Sequence, residues 1–148
     1  MLVTTKWMAE KYAYFNSKYW NGQLPRISFS ISNSRKTWGF ATYKYILNDS
    51  RTRIETIEPI SITLSNYYDS PEEIKETTLL HEMIHIADYF FHPEHFINLR
   101  RTGQNRKYDA HGPIFFMKEA NRLAADGWEI QKYVTMEEKS VSTLSDEN

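Results

Sequence analysis

The sequence predicts one long helix that is capped by Ser70 and runs to Phe91, and its polar positions limit what the rest of the chain can build around it. Ser70-Pro71-Glu72-Glu73 reads as an N-cap serine, a proline at the first helical position and a glutamate placed for a capping box. The helical pattern then runs unbroken to Phe91, and Pro93, which lacks an N–H and clashes with the preceding turn, stops it. At about 100° per residue, His85 falls about 40° from His81, Asp88 about 20° to the other side, and Glu82 about 100° round. Leu79, Leu80, Met83, Ile84, Ile86, Ala87, Phe90 and Phe91 fill the remaining arc as a wide apolar face. Two imidazoles four residues apart share one helical face and can ligate one metal ion. Glu82, one position along from His81, can take a proton from a water there without competing as a ligand. The alternative is a solvated polar face that happens to carry two histidines.

Two histidines do not complete a catalytic metal site, which usually has three protein ligands. His92 and His95 flank Pro93 where the helix breaks, and they read as cap or surface-loop residues. His111 precedes Gly112-Pro113, the expected N-cap and N1 of a last helix through Phe116, Ala120, Leu123 and Ala124 to Asp126-Gly127. Packed beside the first helix, that helix could deliver His111 from its N-terminal end. Glu119 is the competing third ligand, and spacing alone leaves both open. The bland alternative for Glu119 is an exposed helix glutamate. Asp88 reads either as the acceptor for a ligand's second ring N–H or, more ordinarily, as a surface carboxylate.

The run Thr77-Thr78-Leu79-Leu80-His81-Glu82-Met83-Ile84-His85, followed by Asp109-Ala110-His111-Gly112-Pro113-Ile114-Phe115, resembles the SprT-like metallopeptidase domain. That zincin-like family includes the DNA–protein crosslink protease Spartan. Phe15-Asn16, Tyr19-Trp20, Gly22 and Leu24-Pro25 resemble the family's opening, and Gly39 and the Ile60–Ser65 strand have counterparts. The likeness runs from about residue 5 to about residue 126. It implies one Zn2+ per chain on His81, His85 and His111, with Glu82 as the catalytic base. It further implies a protein or peptide substrate, whose bonds are hydrolysed by a metal-activated water. The chain also departs from the family. Between His85 and His111 lie 25 residues, a longer gap than in Spartan-like members, Ile114 replaces a common glutamate, and no cysteine is present for a zinc ribbon.

The remaining elements assemble around this pair of motifs. Thr5 to Trp20 reads as a helix with Met8, Tyr12, Phe15 and Tyr19 on a core stripe and Asn21-Gly22 as its stop. Ile27–Ser32 alternates like a half-buried strand. A second strand covers Trp38 to Tyr45 and a third Glu58 or Ile60 to Leu64, with Asn48-Asp49-Ser50 as the turn between them. Helix, three strands, helix, helix is a segregated order. It predicts an α+β single domain over residues 1–136 with a small, mostly antiparallel sheet. The acidic stretch 137–148 reads as a disordered tail.

Composition trims the alternatives. A net charge of −1 with pI near 6.5 argues against coating nucleic acid by bulk charge. The only concentrated basic cluster is Arg100, Arg101, Arg106 and Lys107, expected on the long loop and able to support weak nucleic-acid binding at most. No apolar run approaches a membrane span, no export signal is present at the N-terminus, and there are no cysteines for disulfides, so no membrane partner is expected and the cytoplasm is the default compartment. Three functions compete: a zinc endopeptidase, which Glu82 favours; a metal-stabilised binding module; and a DNA-associated protease. Tyr108, Tyr89 or an arginine are candidates to stabilise an oxyanion.

Overall fold

A computed structural model describes residues 1–101 and 108–130 of the chain. Helix α1 occupies Thr5–Trp20, as its stripe and stop signal predict. Thr4 caps it by accepting from the Trp7 N–H at 3.0 Å, and Asn21 ends it in the left-handed region at φ 53°. Met8, Tyr12, Phe15 and Trp20 are buried, while Tyr19 is half-buried and binds Asp126 and Trp128 through its hydroxyl. Asn16 is buried too. Its amide both donates to the Leu24 carbonyl and accepts from the Leu24 N–H, which folds the Leu24-Pro25 turn back onto α1.

Strands β1 (Ser28–Ser32), β2 (Gly39–Leu47) and β3 (Ile54–Ser65) form one sheet in the order β1-β3-β2. Antiparallel pairing of β2 with β3 follows from the tight connection, where the Asn48 side chain accepts from the Thr52 N–H at 2.8 Å. β1 lies on the other edge of β3 and runs parallel to it, with Ser28 opposite Ser61. The sheet is therefore mixed. Alternation reports which face a residue takes and carries no information on strand direction, so this could not be read from the pattern. β3 also begins earlier than expected, because its Ile54–Ile57 end pairs with Tyr45–Leu47 across the hairpin.

Helix α2 (Glu72–Phe91) lies across the sheet. Its start differs from the expected cap. Pro71 holds the N-cap position, and its carbonyl accepts from Ile74 and Lys75, while Ser70 makes no side-chain cap bond and gives its carbonyl to the N-terminal ammonium. Gly39 lets β2 and α2 close on β3. A Cβ there would lie 2.9 Å from Leu64 Cδ2 and 3.2 Å from Thr78 Cγ2. Leu79, Leu80, Met83, Ile84, Ile86 and Ala87 are fully buried, joined by Ile62 and Leu64 of β3 and Met8 and Phe15 of α1. Phe90 and Phe91, expected on the same buried face, extend past the core and are exposed.

Helix α3 (Glu94–Arg101) occupies part of what was expected to be a long loop. Pro93 ends α2 and also opens α3, its carbonyl accepting from the Phe96 N–H. A proline before a first turn suits both jobs. Arg100 and Arg101 close α3, whereas Arg106, Lys107 and the tail from Glu137 lie outside the described residues. Helix α4 (Phe116–Ala124) starts later than the expected Gly112-Pro113, which instead belong to a run of turns. No helix among the described residues is long and apolar enough to cross a membrane.

Candidate metal centre

The polar side of α2 is not solvated. His81, Glu82, His85 and Asp88 are each 2 % exposed or less, beneath α4 and the turns that lead into it. A helix that buries its charged stripe as fully as its apolar one needs partners on both sides. The segment 108–116 provides them here.

His111 reaches α2 through a short turn built on Asp109. The Asp109 side chain accepts from the His111 N–H at 3.0 Å, and its carbonyl accepts from Gly112 N–H at the same distance. Gly112 lets the turn close on Asp109: a Cβ there would lie 2.9 Å from Asp109 Oδ2, and the carboxylate would have to shift. The result is a convergence of three imidazoles. His85 Nε2 lies 3.3 Å from His81 Nε2 and 3.2 Å from His111 Nε2. Metal–nitrogen bonds of about 2.0–2.1 Å in a tetrahedron place their nitrogens about 3.3–3.4 Å apart, so these separations fit a zinc-sized ion. The Glu82 carboxylate stands beside the triangle, 4.0 Å from His81 Nε2. Burial holds the His111 imidazole below its ordinary pKa, against a smaller upward pull from Asp109, and so favours the neutral form that a ligand needs.

Phe116 forms the floor. Its ring centroid lies 4.7 Å from that of His81, 5.2 Å from His85 and 5.1 Å from His111. The sequence identified Phe116 only as an apolar helix residue. Its place one short turn after the H-G-P histidine was the available signal, since the start of α4 must pack on the ligands it delivers.

Glu119, the competing third ligand, is turned elsewhere. Its carboxylate accepts from Trp20 Nε1 at 3.0 Å and from the Arg122 guanidinium at 2.9 and 3.1 Å, fastening α4 to α1. Asp88 is a buried carboxylate, not a surface one, and it receives His95 and Tyr108. His95 Nδ1 lies 2.8 Å from its Oδ1, and Tyr108 donates to its Oδ2 at 2.5 Å. Burial pushes the Asp88 carboxyl above the ordinary range, and these two bonds pull against that. Tyr108 is thereby engaged. Tyr89 is packed between Tyr43 and Phe96, with burial raising its hydroxyl far above the ordinary value.

The arrangement could hold a divalent ion on three imidazoles with a carboxylate alongside. No match is found among curated proteins. The sequence does match the SprT-like family over residues 8–133, most of its length and both motifs included, and the chain belongs to that family.

Proposed function

We propose that this protein is a zinc-dependent endopeptidase in which Glu82 is the general base and His81, His85 and His111 hold the ion. The observation that carries this reading is the convergence of the three Nε2 atoms with the Glu82 carboxylate beside them. Zinc bound there supplies a Lewis acid for the scissile carbonyl and brings the pKa of a coordinated water near neutrality. The chain's own residues do the rest. Glu82 accepts a proton from the attacking water at its carboxylate and returns it to the leaving amine. Glu82 is 1 % exposed, so its carboxylate exchanges the proton with substrate in preference to bulk solvent. Phe116 keeps water from the inner side of the histidines, and Asp109 holds the backbone of His111 in place. The outer strands β1 and β2 each have one edge with no strand neighbour among the described residues. An extended peptide can add to such an edge through main-chain hydrogen bonds, which suits a broad range of protein substrates.

The Glu82→Gln variant tests the reading, because it keeps the side chain's size and removes the base. It should retain the metal by elemental analysis and cleave casein at least about a hundredfold more slowly. Equal rates in the two proteins would sink the peptidase assignment in favour of a metal-stabilised binding module.

A further inference from the structure

A second group of metal-ligating side chains stands where α2 hands over to α3. The candidate ligand atoms of His92, Glu94 and His95 all lie within 4.8 Å of one another. The backbone brings them together: the His92 N–H bonds the Asp88 carbonyl at 2.8 Å to close α2, and the His95 N–H bonds the His92 carbonyl at 3.0 Å. In this turn His92 Nδ1 lies 3.2 Å from Glu94 Oε2, and the two imidazole rings stack at 4.9 Å and 22°.

An exposed His–Glu pair needs no further support, yet this one adjoins a buried support. His95 Nδ1 faces Asp88 Oδ1 at 2.8 Å, and a carboxylate can only accept, so that nitrogen carries a proton and Nε2 is the nitrogen left to offer a lone pair to a metal. The carboxylate is 1 % exposed and is fixed from its other oxygen by the Tyr108 hydroxyl. The Tyr108 ring also stacks on His95 at 4.4 Å. A carboxylate behind an imidazole is the arrangement that fixes the tautomer and orientation of a metal-ligating histidine.

We propose that His92, Glu94 and His95 form a second site for a divalent transition-metal ion, separate from the three converging histidines, with Asp88 and Tyr108 as positioning residues for His95. Two imidazoles and one carboxylate suit zinc, cobalt, nickel or copper in preference to magnesium or calcium. His92 and Glu94 are substantially exposed, so water completes the coordination and this ion is held more weakly than one on the triad. Occupancy ties the end of α2 to the first turn of α3. Through Asp88 and Tyr108 it also braces the segment that enters His111.

Zinc titration calorimetry on the chelator-treated full chain tests the proposal. Two equivalents are expected. The weaker should lose at least about tenfold in affinity in His92→Ala and in Glu94→Gln, both with substantially exposed side chains. Asp88→Asn should weaken the same equivalent by about ten- to a hundredfold, a clearly larger loss than on the tighter one, whereas a general loosening of the structure would weaken both alike. His111→Ala should remove the tighter equivalent and spare the weaker, so failure of the triad assignment and failure of this one appear in different variants. A weaker equivalent unchanged in both His92→Ala and Glu94→Gln, or no equivalent sensitive to them up to millimolar zinc, overturns the proposal.

Discussion

Asp109, His111 and Gly112 show how one candidate ligand is brought to α2. Asp109 holds the turn by accepting from the His111 N–H, and in that position its side chain lies where a Cβ at residue 112 would press on it. Gly112→Ala should therefore displace the Asp109 side chain and lower zinc affinity by about tenfold or more, as loss of a supporting contact commonly does. Competition with a coloured chelator measures it, and unchanged affinity would show that the turn tolerates the methyl group. The two candidate third ligands are separated by a direct comparison. His111→Ala should lose the metal in elemental analysis, and Glu119→Ala should keep it while loosening the contact of α4 with Trp20. The reverse outcome would make the assignment wrong. Glu119 was a reasonable candidate in the sequence because it lies on the helix that follows His111. What removes it is Trp20, 99 positions away, whose indole N–H claims its carboxylate.

Helix α2 is held at both ends by groups that its own sequence pattern does not explain. At the first turn Lys75 is buried, and its ammonium donates to the carbonyls of Ser65 at 3.0 Å and Tyr68 at 2.8 Å, fastening the helix to the end of β3. Lys75→Met leaves those carbonyls without their donor and should cost about 1–3 kcal/mol in urea unfolding. Burial also holds this lysine's pKa below its ordinary 10.5. With a depressed folded pKa, the unfolded chain binds more protons between the folded value and 10.5, so the lysine's contribution to stability rises with pH across that window. The stability of wild type relative to Lys75→Met should thus be greater at the alkaline end, and a difference independent of pH would contradict this. At the other end, Asp88 receives His95 and Tyr108 and joins α2 to the chain that returns with His111.

On the scale of the whole molecule, the candidate metal centre is a junction between elements far apart in sequence. An ion on His81, His85 and His111 would join the central helix to the turns before α4, and so would favour the folded chain over the unfolded one. Removing it with a chelator should lower the thermal midpoint, and zinc should restore it by mass action. A midpoint indifferent to zinc would mean that the site contributes nothing to holding α4. The charge of the molecule bears on the DNA-linked role that the Spartan resemblance suggests. With a net charge of −1 and a single basic cluster, DNA binding should be weak and fall steeply with salt. Fluorescence anisotropy near physiological salt should show no stable complex. Tight binding abolished by replacing Arg100, Arg101, Arg106 and Lys107 together would promote the DNA-associated protease to the leading function.

What the sequence determined by itself was local. The span of α1 with its Asn21-Gly22 stop, the long helix carrying His81 and His85, the hairpin turn at Asn48 and the α+β class all rest on short-range periodicity, caps and turn residues. Those act within a few positions, so they can be read without the fold. The tertiary structure alone decided the parallel pairing of β1 with β3, the burial of Asp88, the role of Phe116 as the floor beneath three histidines and the departure of Glu119 to Trp20. It also showed Pro93 opening α3 where a loop was expected. Each of these depends on which distant segment occupies the neighbouring space. A one-dimensional pattern records whether a residue seeks burial or a partner, but not which partner the packing will bring.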